Sequence, residues 1–87
     1  MDKREFILNI AKGLISDKKT MYAQDLVNLL NNNSFKTDAG NEYKGGRGIY
    51  KLLDSIYYRL EKAGEDDDAE KIAKAFTDAS GGYAYKK

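Results

Sequence analysis

Cysteine and histidine are both absent from this 87-residue sequence, and so is tryptophan. Without cysteine there is no disulfide and no thiolate metal site. Without histidine as well, Ser-His-Asp and Cys-His catalysis and Cys/His zinc sites are excluded. Carboxylates, lysine, tyrosine and serine remain for catalysis, and no pair of them stands in a catalytic signature. The inventory therefore points away from an enzyme and implies no cofactor or metal. No apolar run approaches the roughly 18 residues that a membrane span needs, and no hydrophobic signal segment follows the basic start. The reading is of a soluble, cytoplasmic protein without a membrane partner.

What is present fits one small domain spanning residues 1–87, because two cores would leave each half too small to stand alone. Hydrophobic residues make up 41% of the chain, which supplies a thin core and predicts marginal stability unless the protein dimerises or binds something. The formal net charge of +1 says little about partners, but its distribution says more. Residues 1–20 carry five basic and three acidic groups, and residues 35–63 carry six and four. Residues 65–78 reverse the balance, with six acidic groups against two basic. Such polarity either orients a protein on a polyanion or solvates a helix start.

Hydrophobic periodicity predicts four helices. The first runs from Lys3 to Ile15, opened by the capping-box spacing of Asp2 and Glu5 and carrying the stripe Phe6, Ile7, Ile10, Ala11, Leu14 and Ile15. After a polar break, Thr20 is the expected N-cap of a second helix over Met21–Asn31, with Ala23, Leu26, Val27 and Leu30 inward. The Asn31-Asn32-Asn33 triplet ends it, since asparagine tolerates left-handed backbone. Turn chemistry over Asp38–Asn41, flanked by Phe35 and Tyr43, predicts a short β-hairpin or an ordered loop.

A third helix follows Gly45-Gly46 and reaches Ala63, where Gly64 stops it. A fourth opens on Asp66-Asp67-Asp68, with Asp67 and Glu70 at capping-box spacing and Ala69, Ile72, Ala73 and Phe76 inward. Tyr83-Ala84-Tyr85 alternates like a strand, which either pairs with the hairpin or leaves residues 80–87 as a loose tail. The expected fold is mainly α: a four-helix compact domain with a small β-hairpin, of helix-turn-helix or winged-helix kind.

At 100° per residue the third helix divides into two faces. Leu52, Leu53, Ile56 and Leu60 lie within about 60° of Ile49, with Tyr50 and Tyr57 on the flank. The opposite face collects Arg47, Lys51, Asp54, Ser55, Tyr58 and Lys62. Cations neutralise phosphates or reach guanine edges, and hydroxyls donate to phosphate oxygens, so this face suits double-stranded DNA. Asp54 opposes phosphate and suits a cytosine amino group or a pairing with Lys51. A mixed-charge surface opposite an apolar stripe is also the ordinary state of a helix in a small protein.

The segment before this helix bears on that choice. Leu29-Leu30-Asn31-Asn32-Asn33, then Phe35-Lys36-Thr37, Gly40, Tyr43 and a new helix, resembles the helix-turn-helix DNA-binding segment of large serine recombinases. The resemblance covers residues 25–60, departs from the family in its glycines at 45, 46 and 48, and includes nothing of a recombinase catalytic domain. It implies a stand-alone DNA-binding module of the kind found in small phage and mobile-element proteins. It further implies a recognition role for Arg47, Lys51, Ser55 and Tyr58, with backbone contacts from Lys36, Thr37 and Lys44. A homodimer would raise the affinity of a single such helix, although no heptad seam marks one.

Other motifs are less telling. Lys44-Gly45-Gly46-Arg47-Gly48 lacks P-loop spacing, leaving an anion site at the helix start or simply a tight approach to the helix. Glu65-Asp66-Asp67-Asp68 does not match a calcium loop. Seven tyrosines serve either a thin core, for which Tyr22, Tyr43, Tyr50 and Tyr57 are the candidates, or an interface. The alternative function is thus a protein-interaction module of phage or mobile-element origin that docks on a host protein.

Overall fold

Asp2 opens the first helix as its spacing predicts: its carboxylate accepts a hydrogen bond from the Glu5 N–H at 2.8 Å. One of the four amide donors that a helix start leaves open is thereby satisfied. The computed structural model describes residues 2–37, 39–44 and 47–78, with Arg47 described through its backbone alone. Among them the elements run α1 (Lys3–Ser16), β1 (Met21–Tyr22), α2 (Ala23–Asn32), α3 (Arg47–Lys62), α4 (Asp66–Ala75) and β2 (Phe76–Thr77). The chain is mainly α, with four helices in the described residues.

α1, α2 and α3 end in the same way. The third residue past each helix donates to the carbonyl five positions back: Lys19 to Leu14 at 2.8 Å, Phe35 to Leu30 at 2.9 Å, and Glu65 to Leu60 at 2.9 Å. The residue before it is left-handed: Lys18 (φ 57°), Ser34 (φ 63°) and Gly64 (φ 79°). This is the Schellman arrangement, which satisfies carbonyls orphaned at a helix end. Glycine occupies the left-handed position only after α3. After α2 the asparagine triplet stops one residue short of it, and Asn33 instead donates its side chain to the Leu29 carbonyl at 2.8 Å.

Each helix contributes its stripe to one core. Ile7 and Ala11 of α1, Leu26, Val27 and Leu30 of α2, Ile49, Leu53 and Ile56 of α3, and Ile72 and Ala75 of α4 form a single buried cluster with Phe76. Burial of side chains of this size stabilises by roughly 1.5–3 kcal/mol each, so the cluster is the main force holding the helices together. α4 packs against both α1 and α3.

The β element differs from the expected hairpin. β1 and β2 pair in parallel, with Met21 opposite Phe76 and Tyr22 opposite Thr77. Among the described residues, 35–37 and 39–44 belong to a loop instead, closed by Thr37 and Asn41: the Thr37 N–H donates to the Asn41 carbonyl at 2.8 Å, and the Asn41 N–H donates to the Thr37 hydroxyl at 3.2 Å. Pairing with β2 also displaces the start of α2. Tyr22, with extended backbone (φ −66°, ψ 140°), is its N-cap in place of Thr20, and its side chain makes no capping bond.

At α4 the N-cap is Glu65, so Asp67 already lies inside the first turn and the expected capping box with Glu70 does not form. Asp68 instead pairs with Lys12 of α1 at 3.9 Å and with Lys71 at 3.5 Å. Phe76 is buried as expected, but from a strand rather than a helix. Tyr83-Ala84-Tyr85 lies outside the described residues. Residues 33–46 separate α2 from α3, where a helix-turn-helix uses a turn of about three or four residues.

Candidate nucleic-acid interface

The inward face of α3 is fixed by Ile49, Leu53 and Ile56, all almost fully buried, with Leu52, Tyr57 and Leu60 packed half-buried beside them. This pins the rotation of the helix about its axis. Lys51, Asp54, Ser55, Tyr58 and Lys62 consequently face solvent, and α4 leaves them uncovered. Tyr58 is 55% exposed, and the Lys62 ammonium stands over its ring, 4.9 Å from the centroid. Among the described residues Lys51, Asp54 and Lys62 form no ion pair, so the pairing of Asp54 with Lys51 is not made. Arg59 and Lys62 stand in the last turn, where cations also suit the negative end of the helix.

Four of the expected contact residues, Lys51, Ser55, Tyr58 and Lys62, are therefore brought onto one exposed face. The side chain of Arg47 lies outside the described residues, as do Gly45 and Gly46, so the expected anion site at the start of α3 does too. The loop residues divide by role. Lys44 is exposed, whereas Lys36 lies 4.0 Å from Glu42 and lends its carbonyl to the Lys3 ammonium. Thr37 is half-buried, and its hydroxyl is engaged in closing the loop.

The loop is positioned by residues for which the sequence pattern suggested other roles. The side chain of Asn31 hydrogen-bonds both backbone groups of Tyr43, at 2.8 Å each. The Lys3 ammonium lies 4.8 Å from the centre of the Tyr43 ring, and Phe6 of α1 meets Phe35 with ring centres 5.0 Å apart. Of the expected core tyrosines, Tyr43 is buried and Tyr50 and Tyr57 pack half-buried, but Tyr22 is 56% exposed because it precedes α2 rather than lying within it. Two carboxyls are held below the ordinary range, Asp2 by the Glu5 amide and Glu70 by the Lys74 ammonium, and both serve helices other than α3.

No protein-family model, curated protein or solved structure matches the chain. Among the described residues no helix is long and apolar enough to cross a membrane.

Proposed function

We propose that this protein is a non-enzymatic binder of double-stranded DNA that lays the outer face of α3 against the duplex. The observation that carries the reading is the uncovered row Lys51, Ser55, Tyr58 and Lys62 on a helix whose rotation is fixed by its buried side. From Lys51 to Lys62 the helix rises about 16 Å, comparable to the roughly 12 Å width of the major groove. The two ammonium groups can therefore meet phosphates on opposite sides of the groove. Ser55 and Tyr58 lie between them as hydroxyl donors, and in this reading Asp54 accepts from a cytosine amino group. The resemblance to the recombinase segment points to the same helix, although residues 33–46 make its connection longer than the turn of a helix-turn-helix, and a cytoplasmic protein, acting alone or as a homodimer, suits the role.

The test is fluorescence anisotropy with random-sequence duplex DNA over a series of salt concentrations. Binding weakens as salt rises, and Lys51→Ala or Lys62→Ala each lowers the slope of log K against log salt by about 0.9. Absence of binding at low salt overturns the reading. The exposed Tyr58 would then favour the second one, a protein-docking face, since tyrosine is enriched at such interfaces.

A further inference from the structure

A cleft of about 370 Å³ opens where the start of α2, the start of α3 and the end of β2 meet. Its size falls within the usual range for small-ligand sites, about 300–1,000 Å³. Two aromatic rings line it from different elements, Tyr22 just ahead of α2 and Tyr50 in the first turn of α3. Ala23 and Ile49 add apolar surface, and Gln24, Asp25 and Thr77 add an amide, a carboxylate and a hydroxyl.

Net charge does not select the occupant. Asp78 also lines the cleft but already has an interaction partner, and Arg47, which opens α3, stands against the carboxylate of Asp25 in any sum. The selection comes instead from groups that the fold leaves unused. Among the described residues, neither Tyr22 nor Tyr50 has a ring contact or a hydroxyl partner, and the side chain of Gln24 forms no hydrogen bond. Tyr22 is 56% exposed. The start of α2 adds backbone donors, because Tyr22 is its N-cap and makes no side-chain bond to the first amides.

We propose that this cleft binds an adenine ring, carried by a free nucleoside or by an unpaired base of a nucleic-acid strand. The ring is planar and uncharged, so it stacks on tyrosine whatever the sign of the surrounding field. Its amino group and the neighbouring ring nitrogen set a donor beside an acceptor, which a glutamine amide matches with two hydrogen bonds at once. Guanine presents two acceptors on the same edge and matches that amide less well. Gln24 is the recognising amide, exposed in the first turn of α2 two residues after Tyr22. Tyr22 and Tyr50 hold the plane of the ring, and the open amides of α2 donate to a remaining ring nitrogen. The site is independent of the outer face of α3, because neither Lys51 nor Tyr58 lines it.

The experiment follows backbone amide chemical shifts of the whole chain during titration with adenosine and with inosine, which carries an oxygen in place of the amino group. Single-stranded hexamers of dA and of dT form the second arm. Saturable shifts at Tyr22, Ala23, Gln24, Ile49 and Tyr50 are expected with adenosine and the dA strand, and much weaker ones with inosine and dT. The tighter of the two adenine ligands identifies the source. Gln24→Ala weakens adenosine binding by about fivefold or more and removes its preference over inosine. Tyr22→Ala weakens it by about fivefold or more through lost stacking, while Lys51→Ala and Tyr58→Ala leave it unchanged. Unaltered shifts elsewhere in each variant establish that the fold is retained. Equal response to adenosine and inosine, a preference that survives Gln24→Ala, or no response to either adenine ligand overturns the proposal.

Discussion

Asn31 and Tyr43 are joined as if they were neighbours in a sheet: Nδ2 of Asn31 donates to the Tyr43 carbonyl and its Oδ1 accepts from the Tyr43 N–H, both at 2.8 Å. One side-chain amide thus satisfies both polar groups of a backbone unit that has no strand partner. Asn31→Ala leaves both groups orphaned in a half-buried setting, and its expected cost is about 2–4 kcal/mol. Asn31→Asp is also destabilising at neutral pH, because a carboxylate accepts from the N–H but faces the carbonyl oxygen. It recovers part of the loss in acid, where the protonated carboxyl can donate. Urea unfolding of the three proteins at two pH values reads this directly, and an unchanged midpoint for Asn31→Ala would refute it.

Two of the three left-handed helix ends bear a side chain. A non-glycine residue in this conformation costs roughly 1–2 kcal/mol, offset in part by the greater freedom that glycine gives the unfolded chain. Lys18→Gly and Ser34→Gly are therefore each expected to stabilise by about 0.5–1 kcal/mol. Gly64→Ala is expected to destabilise by a similar amount. A Cβ at Gly64 would meet no atom within 4 Å, so backbone conformation and not crowding sets that cost. Denaturant midpoints measured with unchanged m-values test all three.

The acid limb of stability has an identifiable contributor. The Glu5 amide holds the Asp2 carboxyl below its ordinary value, so the folded state binds that proton less readily than the unfolded state. A depressed folded pKa gives stability that is present above the unfolded value and is lost as pH falls through the folded one. Thermal melts from about pH 6 to about pH 2 should show a shallower acid decline for Asp2→Ala than for the parent, with the two curves converging at the acid end.

Fold and proposed interface respond to different substitutions. Lys51→Ala and Lys62→Ala change stability by no more than about 0.5 kcal/mol, the usual range for exposed positions. Phe76→Ala, at a fully buried site, costs about 3–5 kcal/mol and brings so small a domain close to unfolding. Circular dichroism melts separate the two classes. A lysine variant that unfolds the protein would show that the outer face of α3 is structural.

The helices were legible because their stripes are regular. Ala23, Leu26, Val27 and Leu30 were all expected inward and all are buried, and α3 was misplaced by one residue at its end alone. The two strands were not legible, since two residues carry no periodicity and each strand exists through a partner distant in sequence. That pairing also decided where α2 begins, overriding Thr20. Asn31 was read with its two neighbours as a helix stop, because nothing local distinguishes an asparagine that turns the chain from one that reaches across to Tyr43. For the interface, the helical wheel identified the outward face correctly, while Glu42 as the partner of Lys36 required the folded loop to be seen.

The register of Met21 against Phe76 has a consequence for how the protein is made. More than half the chain separates these partners, so their contact closes a long loop and is entropically late. During synthesis α1, α2 and α3 leave the ribosome before Phe76 does, with the centre of their shared core still unfilled. The cooperative fold therefore waits for β2, and a nascent chain arrested before it would remain open to proteolysis even with all four described helices translated.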